Sequence, residues 1–198
     1  MNKSIVTLIV AYTFLPAMSQ AADRSAIANA AVAERTAILE TAGRGSNITS
    51  NKELYQILSG VRAAVIKPGE KPQQALTRMG GGKLVETKGS YIVFSGQQSA
   101  ATVTSVNGTS YPTAYNPRTG GVGIVPGNLN VKLNNSGNAA AIAADYGLEV
   151  VRVFAHLKTA FFKVKPGQDV VAVAAALTAD TRVLSAEIEV IEHLNVPN

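Results

Sequence analysis

The chain has 198 residues, of which 46% are hydrophobic and 16% are charged, a balance typical of a globular protein rather than a disordered one. It has no cysteine, no tryptophan and only two histidines, which excludes disulfides and leaves little material for a catalytic site. The net charge of +5 comes from basic residues scattered along the chain, and this argues against nucleic-acid binding.

Residues 1–21 are typical of a secretory signal peptide. Lys3 gives the positive start, and an apolar stretch follows over residues 5–18. Small residues at Ser19 and Ala21 predict cleavage after Ala21. The apolar stretch is too short and interrupted for a stable membrane span. We therefore expect bacterial export to the periplasm or beyond, with no membrane attachment after cleavage.

Residues 22–60 are expected to form a helical arm. Residues 23–42 carry a partial apolar stripe at helical spacing, and Gly43 is a natural helix stop. The polar stretch 43–50 is expected to be a flexible connector. Residues 52–58 are expected to form a second short helix.

Residues 61–121 predict a smaller βαββ-like region with a loop-rich end. The expected elements are a strand over 61–66, a helix over 72–79, a hairpin of 83–86 with 91–94, and a loop over 111–121. The triple glycine at 80–82 follows a helix and precedes a strand. Phosphate loops have the opposite order, so we interpret these glycines as a helix stop.

Residues 122–198 give the clearest pattern, which is strand, helix, strand, strand, helix, strand. It predicts a ferredoxin-like βαββαβ open antiparallel sandwich, and hence an α+β fold class for the chain. Leu129, Val131 and Leu133 alternate with polar residues as in a half-buried strand. The predicted caps and stops are Ser136 and Asp169 as helix N-caps and Gly147 as a helix stop. Both helices are expected on one sheet face, leaving the other face bare.

Three phenylalanines, Phe154, Phe161 and Phe162, surround the hairpin between the second and third of these strands. Neighbouring residues on a strand point to opposite faces, so Phe161 and Phe162 cannot both lie under the helices. The outward ring is either covered by the N-terminal half of the chain or available to a protein partner. The sequence leaves both alternatives open.

Two carboxylates, Glu187 and Glu189, lie two residues apart on the last strand and therefore share a face. They form either a solvated sheet edge or a site for the helix N-termini of a partner, where backbone N–H groups favour an anion. His156 and His193 lack the ligand spacing of a metal site, and no G-x-S-x-G motif is present. We expect a protein that is not an enzyme and has no cofactor or metal.

Residues 128–190 resemble the propeptide, or inhibitor I9-like, domain of subtilisin-type serine proteases. The resemblance lies in the stretches NLNVKL, AAAIAADYGLEVVRVFAHLKTAFFKV and VVAVAAALTADTRVLSAEIEV. Its most specific part is the spacing L-x-x-D-x-x-V-x-x-x-E, formed by Leu177, Asp180, Val183 and Glu187. It covers about a third of the chain.

The resemblance implies a domain that assists folding of a protease and inhibits it. The open sheet would pack on two protease helices, Glu187 and Glu189 would cap those helices, and a C-terminal tail would lie in the substrate cleft. The tail residues would be Ile191, Glu192, His193, Leu194, Asn195, Val196, Pro197 and Asn198. Ser185 and Ile188 depart from the family pattern, which usually has an aromatic residue and a proline or polar residue at these positions.

Since no catalytic domain follows in this sequence, the chain is expected to act in trans. It is similar to standalone chaperones of secreted subtilisin/kexin-like proteases. The alternative function is a periplasmic or secreted structural or adhesion module without a protease partner. The pattern does not predict an oligomeric state.

Overall fold

The computed structural model describes residues 18–96, 101–103 and 109–192. The chain divides into a first unit that ends at Glu34 and a second that begins at Arg35. The predicted signal peptide lies almost wholly outside the described residues, and its cleavage stays a prediction.

Helix α1 (Met18–Thr41) confirms the first predicted helix and ends just before Gly43. In the first unit, residues 26–34 of this helix are exposed to solvent. Among the described residues, no helix combines the length and the apolar character needed to cross a bilayer.

The first sheet of the second unit has six antiparallel strands within the described part of the chain. The elements are β1 (Gly43–Ser50), β2 (Glu53–Val65), helix α2 (Pro72–Arg78), β3 (Leu84–Lys88), β4 (Tyr91–Ser95), β5 (Ser110–Tyr115) and β6 (Val122–Ile124). The strand order is β3-β4-β2-β5-β6, and β1 pairs with the first half of β2. The predicted α2 and the β3–β4 hairpin are confirmed.

The predicted helix over 52–58 is wrong, because residues 53–58 belong to β2. Asn51 and Lys52 both have positive φ, at 50° and 68°, and form the tight turn that joins β1 to β2. Tyr55 and Ile57 are then buried at alternate positions of β2. The expected flexible connector is strand β1.

The predicted loop over 111–121 is wrong in its first half, where β5 pairs with both β2 and β6. Pro112 of β5 cannot donate to a strand ladder. It is paired with Arg62 at the register shift between β2 and β5, where a missing N–H is tolerated.

The second sheet confirms the predicted βαββαβ arrangement. Its elements are β7 (Asn128–Leu133), helix α3 (Ala139–Tyr146), β8 (Glu149–Phe154), β9 (Thr159–Lys163), helix α4 (Val170–Thr178) and β10 (Val183–Ile188). All pairs in the order β10-β7-β9-β8 are antiparallel.

Local caps fix the two helices of this sheet. Asp169 accepts hydrogen bonds from the backbone N–H of Val171 and Ala172 at 2.9 and 3.0 Å, and Gly147 ends α3 with φ of 65°. These two predictions are confirmed. Ser136 does not cap α3, because it begins a short 3₁₀ turn capped by the side chain of Asn135.

One face of the second sheet packs against α3 and α4. Apolar residues at alternate strand positions meet the buried faces of both helices, and the largest fully buried ones are Leu129, Leu133, Ile142, Phe162 and Leu177. Because the strand side chains alternate, the residues between them are placed on the opposite face.

Asp180, which belongs to the spacing shared with subtilisin propeptides, has a structural role here. Arg182 donates to its carboxylate at 2.6 Å, and Tyr146 donates to it at 3.1 Å. The hydrogen bonds from Arg182 hold the pKa of Asp180 well below its usual range. These bonds tie the end of α3 to the start of β10.

Replacing Phe162 and Phe161 separately tests the two faces of β9. Phe162→Ala removes a fully buried ring, and we expect a loss of about 3–5 kcal/mol in the free energy of unfolding. Phe161→Ala removes a half-buried ring, and we expect a loss of about 1–2 kcal/mol. Urea unfolding followed by circular dichroism measures both values. Equal losses would contradict the assignment of the two rings to opposite faces.

Candidate protein-binding surface

The face of the second sheet away from the helices carries a row of side chains that crosses all four strands. Asn130 on β7 is paired with Phe161 on β9 and with Glu187 on β10, and Phe161 is paired with Arg152 on β8. The register therefore brings the predicted residues Phe161 and Glu187 onto one surface.

An aromatic cluster, formed by Arg152, Phe154, His156 and Phe161, occupies the β8–β9 side of this face. Phe154 packs edge-to-face on Phe161, with 5.7 Å between ring centroids, and on His156 at 6.4 Å. The guanidinium of Arg152 lies 5.1 Å from the centre of the Phe154 ring. The prediction that Phe161 and Phe162 point to opposite faces is confirmed, with Phe161 outward.

Phe161 stands between two grooves of different character. An apolar groove of about 280 Å³ lies on the β8 side and is lined by Val151, Arg152 and Phe154. A smaller, polar groove of about 160 Å³ lies on the β10 side, and both Glu187 and Glu189 line it. An aromatic ring is thus placed next to two carboxylates.

Both carboxylates already accept hydrogen bonds within the chain. The backbone N–H of Asn51, in the β1–β2 turn, donates to Glu187. Asn128 donates to Glu189 at 2.6 Å. The sequence led us to expect a bare sheet face. Along the β10 edge the face is not bare, because the β1–β2 turn covers Glu187. The contacts of both acids with a partner stay predictions.

The segment after β10 runs onto the first sheet. Ile191 and Ile124 exchange two backbone hydrogen bonds, at 2.8 and 2.9 Å, and the N–H of Val190 donates to the Ser50 hydroxyl at 3.2 Å. Ile191 was expected to belong to a cleft-binding tail, and in the structure it instead lies against β6. Residues 193–198 of that tail, including His193, lie outside the described residues.

Glu192 is held by side chains from three segments of the first sheet. One carboxylate oxygen accepts from the Tyr55 hydroxyl at 2.9 Å and from the Asn116 amide at 2.8 Å, and the other accepts from Thr119 at 2.5 Å. Lys88 donates to the backbone carbonyl of Glu192 at 3.1 Å. We call these five residues the Glu192 cluster. Sequence patterns gave no signal for it, because its members are far apart in the chain.

No group of three or more His, Asp or Glu residues in the described ranges could hold a metal ion. His156 belongs to the aromatic cluster, and His193 lies outside the described residues.

A family model described as the open reading frame 2 (ORF2) N-terminal domain matches residues 33–197. The chain belongs to this family. The match spans both sheets, whereas the resemblance to subtilisin propeptides is confined to residues 128–190. The ORF2 N-terminal domain is therefore the pair of sheets together with the end of α1.

One solved structure similar to this ORF2 N-terminal domain is the crystal structure of the Aeromonas sobria serine protease (ASP) and chaperone (ORF2) complex. The sequence identity is 24%, the alignment covers 49% of this chain and 100% of that chain, and the TM-score is 0.38. No curated protein matches the chain.

Titration of Tyr55 tests the Glu192 cluster. Burial and, secondarily, the Glu192 carboxylate raise the pKa of Tyr55 to about 12. We expect Glu192→Gln to lower this pKa, measured as the ultraviolet absorbance of tyrosinate, with Tyr55→Phe identifying the signal. An unchanged pKa in the Gln variant would contradict the hydrogen bond.

The raised pKa of Tyr55 makes the stability of the folded chain depend on pH in the alkaline range. The phenol of the unfolded chain ionises near pH 10, whereas the folded state keeps Tyr55 protonated to higher pH. The folded chain therefore binds more protons above pH 10, and this contribution to stability is lost as the pH rises from about 10 through about 12.

Proposed function

We propose that this protein is a non-enzymatic chaperone that binds a serine protease, assists its folding and holds it inactive. The observation that carries the proposal is the outward face of the second sheet, where Phe161, packed against Phe154, lines the same groove as Glu187 and Glu189. A pair of half-buried aromatic rings next to acidic side chains suits a protein partner better than a small substrate.

A serine protease is the proposed partner because residues 128–190 resemble the propeptides of subtilisin-type proteases. In addition, the family shares its ORF2 designation with the chaperone of the Aeromonas sobria serine protease. We propose a subtilisin/kexin-like enzyme, exported with this chain to the periplasm or beyond. The proposed tail, now limited to residues 193–198, would enter the substrate cleft and inhibit the enzyme.

The geometry suggests how the surface would dock. Phe161 forms a ridge between the apolar groove and the polar groove, so a pair of helices could pack with one on each side. A helix N-terminus in the polar groove would offer backbone N–H groups to Glu187 in place of the N–H of Asn51. This exchange replaces one backbone donor by another, so its net cost in hydrogen bonding is small.

Folding assistance follows from a preformed complementary surface. A surface that fits only the native protease stabilises the late, native-like state over less ordered ones. A specific interface typically buries roughly 1,600 Å² in total, more than the aromatic cluster alone provides. The proposed contact therefore includes both grooves and the tail.

Co-expression tests the chaperone function. We expect a subtilisin/kexin-type protease exported by the same organism to reach a folded, activatable state only when this chain is present, measured as peptidase activity after the chaperone is removed. Equal activity without the chain would overturn the chaperone proposal. Self-association of the chain without protease binding would support the structural or adhesion module instead.

Substitutions on the outward face test the docking surface. We expect Phe161→Ala to weaken protease binding by about 2 kcal/mol, as for a central aromatic contact, and Glu187→Ala by about 1 kcal/mol through the lost helix-end interaction. Titration calorimetry measures both.

The matched control for these two variants is Leu184→Ala. It removes a side chain of β10 that is 67% exposed and lines neither groove. We expect no change in its dissociation constant. Unchanged dissociation constants for Phe161→Ala and Glu187→Ala would place the interface elsewhere.

A further inference from the structure

The first sheet makes room for the chain after β10 through two glycines near β6. A Cβ atom on Gly121 would lie 2.3 Å from a carboxylate oxygen of Glu192, and one on Gly123 would lie 2.3 Å from the Val190 side chain. Neither glycine has a positive φ, so neither is required by its own backbone conformation. A side chain at either position would instead displace the Glu192 carboxylate or the Val190 side chain.

The donors around Glu192 are themselves held in place. The side-chain carbonyl of Asn116 accepts from the backbone N–H of Arg118 at 2.9 Å and of Thr119 at 3.3 Å. The Thr119 hydroxyl accepts from the Gly121 N–H at 3.1 Å. The turn after β5 therefore presents two ordered donors to the carboxylate. A site whose donors are fixed in advance orders its acceptor at little further entropic cost.

We propose that Glu192 is a positioning residue for inhibition, which fixes the point from which residues 193–198 enter the protease cleft. The proposal rests on the inhibitory tail proposed above. It assigns a role to the first sheet, which is to anchor the tail, while the second sheet docks on the protease.

An anchor at Glu192 would favour binding of the tail in two ways. Six residues span at most about 20 Å when fully extended, so the reach of the tail depends strongly on where it starts. If Glu192 were released, Ile191 and Glu192 would have to be ordered each time the tail binds. Ordering the backbone of even one residue costs the equivalent of about a tenfold loss in occupancy.

The test compares the peptidase activity that remains when the co-expressed protease is saturated with each variant. Glu192→Ala removes the carboxylate, and Gly121→Ala displaces it from the opposite side without changing its chemistry. For both variants we expect the residual activity at saturation to rise by about tenfold over wild type. Glu192→Gln keeps an acceptor oxygen, so its residual activity at saturation should lie between that of these two variants and that of the wild type.

The readout separates positioning from stability. A purely structural role would raise the concentration needed for saturation but would leave the saturated complex inactive. The matched control is Glu40→Ala, which removes an exposed carboxylate from α1 and should leave residual activity unchanged. Thermal unfolding of each variant confirms that the chain is folded at the assay temperature.

Deletion of residues 193–198 distinguishes this inference from the function on which it rests. If the saturated complex of the deletion variant stays inactive, the inhibitory tail is refuted, and the anchor with it. If that complex is active while those of Glu192→Ala and Gly121→Ala stay inactive, the tail is retained and the anchor alone is overturned.

Discussion

The antiparallel bridge between Ile124 and Ile191 is the contact on which the arrangement of the two sheets depends. It joins the segment after the last strand of the second sheet to β6 of the first. Beside it, Ile57 of the first sheet and Leu129 and Phe162 of the second belong to one buried apolar cluster. The two sheets therefore share a buried core, and the first sheet holds the C-terminal end of the βαββαβ portion.

Strand alternation places the residues of the second sheet on two faces, one in the core and one directed away from the helices. Leu129 and Phe162 fill the core beneath α3 and α4, while Asn130 and Phe161 are their neighbours on the opposite face. The β1–β2 turn reaches the edge of that face and gives Glu187 a backbone donor. The proposed docking surface is thus covered at its β10 edge and exposed at its β8–β9 side.

The second sheet was predictable because its signals are local. Alternation at Leu129, Val131 and Leu133, the cap at Asp169 and the stop at Gly147 each depend on a few neighbouring residues. In the first sheet, β1 and β5 lacked such signals, since β1 has Ile48 as its one large apolar residue and β5 contains Pro112.

Long-range contacts were beyond sequence patterns for the same reason. Glu192 meets Tyr55 and Asn116 across 137 and 76 positions of the chain. A charged residue in a strand, such as Arg62, is ordinarily expected to face solvent. Arg62 is instead 1% exposed and donates to the Ser110 hydroxyl and carbonyl. Burial lowers the pKa of this guanidinium to about 10. A pattern of apolar residues gives no indication of either arrangement.

The opposite orientations of Phe161 and Phe162 also bear on how the family diversifies. Position 162 is limited by the volume of a packed core, so substitutions there must conserve size whatever the partner is. Position 161 is only half-buried, so packing limits its side chain less than it limits the one at position 162. The two adjacent positions are thus under different physical constraints, and the outward residues of β9 can change while the residues that face the core keep their size.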